Sequence, residues 1–204
     1  MENTIMKKTF FFFAALVAVA ACNEVKVETP SLTREVTIKA SSAETKTLLE
    51  GDVVLWEEKD AVALRFTKGV AHHVEKFTTT QEGSKVNFTG SLPNTVSVAE
   101  GYEPTGYAVY PASAMDNNGT ISHSLHRTVT AQENGSFDTG MNLSSAVVSL
   151  AELDANGTTE ATFNNALSIV RFSLSASDIA SLKISADGSN LAGTVSMVFD
   201  PEAD

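Results

Sequence analysis

From Arg34 onward the chain is built of short runs in which apolar and polar residues alternate, each closed by Gly, Asn, Asp or Pro. A period of two places every second side chain on one buried sheet face. Val36, Ile38 and Ala40 alternate with polar neighbours in the first such run. Residues 45–66 read as three strands and two turns. Leu48 and Leu49 close the first strand, and Glu50-Gly51-Asp52 turns the chain. Residues 53–56 form the second, followed by the polar turn Glu57-Glu58-Lys59-Asp60. In the third, Val62, Leu64 and Phe66 alternate with Ala61, Ala63 and Arg65. Trp56, the only tryptophan, falls where a strand meets a charged turn. It reads as a core anchor rather than a ligand-stacking ring.

Further runs lie at 74–79, 85–89, 106–110, 182–186 and 191–199, and residues 161–175 hold two more. Asn118-Gly119, Asn134-Gly135, Asn156-Gly157 and Asp187-Gly188 supply the positive φ that tight hairpins require. Only residues 144–154 carry a pattern suited to a short helix. Many short strands between turn signals predict an all-β two-sheet sandwich with Greek-key links. No repeat of fixed period is present.

The first residues have another purpose. Lys7 and Lys8 precede the apolar run 9–21, which ends in small residues. That is the layout of a secretory signal, complete from Met6 onward. The run is too short to span a bilayer as a helix. It ends in Val19-Ala20-Ala21-Cys22, which resembles a bacterial lipobox. Cleavage between Ala21 and Cys22 then leaves a diacylated, N-acylated Cys22. Cys22 is the only cysteine, so an exported chain of this sequence builds no internal disulfide. One acyl chain binds membranes marginally, whereas several anchor stably. Residues 1–21 are thus read as signal, 22–33 as a polar tether containing Pro30, and 34–204 as one domain.

Charge narrows the partners. The net charge is −11, and removal of Glu2, Lys7 and Lys8 with the signal makes it one unit more negative. Such a surface repels nucleic acid and anionic lipid. Contact with membrane is therefore expected through the acyl anchor. Catalytic patterns are missing: no Gly-x-Ser-x-Gly, His-Glu-x-x-His or Cys-x-x-Cys occurs. His72 and His73 are adjacent, and His123 and His126 are three apart. Each pair falls on opposite faces of a strand, which disfavours a metal site. Asp52, Glu57, Glu58 and Asp60 sit in turns and read as a solvated rim rather than an acid/base pair. No cofactor or enzymatic activity is expected.

An ordered set of segments resembles the fimbrillin family, the Mfa-like fimbrial subunit and anchor lipoproteins of Gram-negative anaerobes. The set begins with Thr45-Lys46-Thr47, Val54-Leu55-Trp56 and Lys59-Asp60. It continues with Tyr107-Ala108-Val109-Tyr110-Pro111 and Thr130-Ala131-Gln132. Phe163-Asn164-Asn165 with Val170-Arg171-Phe172 follows, then Leu182-Lys183-Ile184 and Leu191-Ala192-Gly193. The resemblance implies a transthyretin-like β-sandwich, the N-terminal domain of a fimbrial subunit. The family's second β-domain has no counterpart here, so a short or truncated member is expected. It further implies an outer-membrane or cell-surface lipoprotein of fimbriae and cell adhesion, with other subunits and a surface target as partners. In the family an arginine-specific protease trims near the first strand, and a neighbour's strand fills the opened groove. Arg34–Glu35, directly before the Val36/Ile38/Ala40 alternation, is the candidate bond. The alternative function is a glycan- or ligand-binding surface module, with Trp56, Tyr102, Tyr107 and Tyr110 as an exposed stacking platform.

Overall fold

Alternation is borne out along the strands of the computed structural model, which describes residues 32–42, 55–125, 141–167 and 193–199. The strands are β1 (Thr33–Ser42), β2 (Ala61–Lys68), β3 (Ala71–Thr78), β4 (Lys85–Pro93) and β5 (Thr105–Tyr110). They continue with β6 (Ile121–Leu125), β7 (Ser144–Ser149), β8 (Thr158–Asn165) and β9 (Gly193–Met197). One helix, α1 (Leu150–Asn156), separates β7 from β8. The expected all-β class is met.

Seven strands close a barrel in the order β1-β4-β3-β2-β5-β7-β8. Every junction is antiparallel except β8 to β1, which is parallel. β2, β3 and β4 follow one another as neighbours, and β1 lies beside β4, reached from β2 only by the long 43–60 link. This is Greek-key connectivity. The expected two-sheet transthyretin-like sandwich is not what the hydrogen bonding draws. Pairing passes through two thin joints, Thr78↔Thr89 between β3 and β4, and Ser144↔Asn165 with Ser145↔Asn164 between β7 and β8. Those joints close what would otherwise be two sheets.

Inward residues fill the barrel in register. Val36, Ile38 and Ala40 of β1 meet Val86, Phe88 and Leu92 of β4 and Ala161 and Phe163 of β8, all at most 5% exposed. β2 contributes Val62, Leu64 and Phe66 to the same core. A second, smaller core lies outside the barrel wall. There Ala63 of β2 and Val109 of β5 pack with Met115, Ile121 and Leu143. The two-stranded sheet β6-β9 covers them through Ile121, Val195 and Met197. This is why Ala63 of β2 and Val109 of β5, on the face away from the barrel interior, are buried apolar residues.

Two local expectations are corrected. The 144–154 run is not one helix, because alternating Ala146 and Val148 make its first half β7. Ser149 then caps α1, its side chain accepting the Glu152 N–H at 3.1 Å. Residues 55–56 form no strand. Trp56 makes an isolated bridge to Gly83, and the chain turns at once through Lys59 at φ 76°. Asn118-Gly119 does turn the chain between bridged Met115 and Ile121. Asn156-Gly157 instead ends α1, with Gly157 at φ 69°. The expected strand at 45–49, the 182–186 run and the pairs Asn134-Gly135 and Asp187-Gly188 lie outside the described residues.

Candidate functional site

Arg34, the second residue of β1, organises the end of the barrel at which that strand begins. Arg34 pairs with Leu92 across β1 and β4. Its Nη1 donates to the Pro93 carbonyl at 3.0 Å. Its Nη2 donates to the Val96 carbonyl at 2.7 Å and to Asp154 Oδ1 at 2.5 Å. The other Asp154 oxygen accepts the Val98 N–H at 2.8 Å. Arg34 and Asp154 together therefore tie β1, the end of β4, the 3-10 turn Val98–Glu100 and α1. The two side chains are 25% and 23% exposed, so water screens the pair only in part. Charge-assisted bonds of this kind exceed neutral ones about twofold.

α1 delivers Asp154 by ordinary helix chemistry. Ser149 caps its start, acidic Glu152 sits in its first turn, and left-handed Gly157 ends it, donating to Leu153 O at 3.0 Å. Thr159 Oγ1 donates to Glu152 at 2.6 Å, fixing the helix to β8. Sequence reasoning singled out Arg34 but not Asp154. The two are 120 residues apart, and nothing local marks them as partners.

The Arg34–Glu35 bond lies inside β1, not before it. Cleavage there would separate the body from the acyl end. Residues 35–42 would remain joined to the chain through Ser42, so the cut frees the leading end of β1 rather than removing the strand.

The supposed aromatic platform is dispersed. Trp56 is 2% exposed and meets Phe88, Tyr110 and Phe163 edge-on at 5.0–5.2 Å, at the barrel end opposite Arg34. Tyr110 Oη donates to Asp60 Oδ1 at 3.0 Å. Tyr107 stacks on Phe199 at 4.1 Å with the Arg65 guanidinium 5.6 Å from its ring. Tyr102 lies under the Lys68 ammonium at 5.7 Å. Asp60 is a turn residue, its second oxygen accepting the Glu57 N–H at 2.9 Å. His72 and His73 do face opposite ways, to Thr67 and Glu75. Among the described residues no three His, Cys, Asp or Glu side chains converge on a metal position. His126, Asp52 and Cys22 lie outside those residues.

Comparison with known proteins decides one point. Residues 6–23 match the prokaryotic membrane lipoprotein lipid attachment site. The chain is a lipid-anchored, membrane-associated lipoprotein. Cys22, the sole cysteine of the sequence, lies inside the match. The match ends at Asn23 and bears on the anchor, not on the barrel. No curated protein and no solved structure matches the chain.

Proposed function

We propose that this lipoprotein is a non-enzymatic, fimbrillin-like subunit or anchor of the outer membrane or cell surface. Its work is fimbria assembly and adhesion by β-strand addition. The observation that carries this reading is the position of β1. It follows the tether directly and is paired on both flanks, from Thr33↔Pro93 to Ser41↔Lys85 with β4 and from Thr37↔Thr158 to Ser42↔Phe163 with β8. Displacing β1 would break the barrel at one place. It would leave an apolar trough, lined by Phe88, Ala161 and Phe163, where Val36, Ile38 and Ala40 had been. A second chain's strand of the same alternation fits such a trough: backbone bonds supply affinity and alternate side chains supply specificity.

The two thin joints also divide the barrel into β4-β1-β8 and β3-β2-β5-β7, two groups of strands that would be separate sheets were the joints open. Processing at Arg34–Glu35 belongs to the same proposal, and it requires Arg34 to leave its three acceptors. Electron microscopy of cells with and without the gene tests the reading. Filaments carrying antibody label are expected only with the gene. Label spread singly over the envelope, with no filaments, rejects assembly.

A further inference from the structure

Among the described residues the exposed large aliphatics are Leu32, Leu55, Val70, Val98, Val147 and Val198. Scattered single aliphatics are ordinary on protein surfaces. Three of these, however, share one end of the barrel, the end at which β1 begins. Leu32 precedes β1, and its carbonyl accepts the Asn94 N–H at 2.9 Å, just beyond β4. Val98 opens the 3-10 turn held by Asp154. Val70 is the second residue of the tight β2–β3 turn, where Gly69 at φ 58° supplies the positive angle. Val70 is 98% exposed, at a position where turns ordinarily carry polar residues. The hairpin tip is not loose. Glu103 N–H donates to Thr67 O at 2.8 Å, and Lys68 sits over the Tyr102 ring.

Connectivity names what lies opposite this end. Leu32 stands ten residues after Cys22. A segment of that length reaches about 35 Å at full extension. A body tied to lipid through it meets the bilayer at high effective concentration. We propose that this end of the barrel docks on the membrane, with Leu32, Val70 and Val98 entering the boundary between headgroups and acyl chains. The inference rests on the acyl anchor at Cys22. Glu35, Glu100, Glu103 and Asp154 outnumber Arg34 and Lys68 around these residues, so the surface suits uncharged zwitterionic lipid rather than anionic lipid.

The test uses the full mature, lipidated chain in phosphatidylcholine vesicles with brominated acyl chains. Val70→Trp reports on the docking end and Leu55→Trp on the opposite end. Native Trp56, buried in the core, contributes the same background to both. Stronger quenching of Val70→Trp than of Leu55→Trp is expected. Adding Leu32→Asp and Val98→Asp is expected to remove that difference while flotation with the vesicles persists. Flotation with no difference between the two reporters overturns docking and leaves the anchor standing, as does equal quenching of both. A chain that does not float overturns the anchor, and docking with it.

Discussion

At the scale of single residues, the clearest electrostatic perturbation among the described residues belongs to Tyr110. Burial pushes its hydroxyl well above the ordinary 10.0, and the Asp60 charge, the hydrogen bond to Asp60 and the Glu57 charge push the same way. The sign of the pH dependence follows. In the unfolded chain Tyr110 loses its proton near its ordinary value, while the folded chain keeps it. The contribution is whole below pH 10 and falls as pH rises above it, because only the unfolded state then gains by ionising. Urea midpoints at about pH 9 and about pH 11 measure this. The wild type is expected to lose more stability between them than Tyr110→Phe does. Equal losses would show that burial and its acidic neighbours do not hold the Tyr110 hydroxyl protonated in the folded chain. Trp56 was legible as a core residue because a lone large ring beside an alternating strand has few other uses. Its partners were not legible, since Phe88, Tyr110 and Phe163 come from three strands far apart in sequence. Gly106, inside β5, was read only as the start of an apolar run. A glycine inside a strand signals a close approach, and here a Cβ would lie 2.3 Å from the Phe66 ring.

At the scale of elements, the Arg34–Asp154 bond joins β1 to α1 and makes a sharper prediction. Removing either partner leaves the other part-buried without its charge-assisted bond, a loss of about 1–3 kcal/mol. Arg34→Ala and Asp154→Ala should each lower the unfolding free energy by that order. The double variant should lose clearly less than the sum, because the two act as one unit. Asp154→Ala also releases the Val98 N–H and loosens the start of β1. Arg-specific proteolysis at Arg34 should then run faster than in the wild type. Additive losses with unchanged cleavage would dissolve the idea of a fastener. Sequence reading found most strands but misjudged what ended them. Asn-Gly supplies a left-handed glycine to a hairpin and to a helix end alike, so Asn156-Gly157 carried no information about which one follows. Ser149 likewise fell inside one expected helix over 144–154, whereas it closes β7 and caps α1.

At the scale of the whole molecule, alternation told which side of each strand is buried, but not which strands are neighbours. Whether two sheets stay separate or close into a barrel depends on the few pairs at Thr78↔Thr89 and Ser144↔Asn165, where no pattern distinguishes a corner from an edge. The parallel β8–β1 contact was equally invisible, since it joins residues some 120 positions apart. That contact offers the most direct trial of strand addition. Lys39 and Glu160 are exposed and side by side across it. Adjacent strands lie about 4.8 Å apart, and a disulfide accepts Cα separations of about 4.4–6.8 Å. Lys39→Cys with Glu160→Cys should therefore lock β1 into its own barrel. Lipidation of Cys22, on which the proposal rests, would leave no other thiol to interfere. If β1 must leave for a neighbour's strand to enter, the oxidised double variant reaches the membrane but builds no labelled filaments. Reductant should restore assembly, and each single variant should assemble throughout. Filaments from the locked chain would mean that any joining of subunits proceeds with β1 in place, through surfaces other than the trough beneath it.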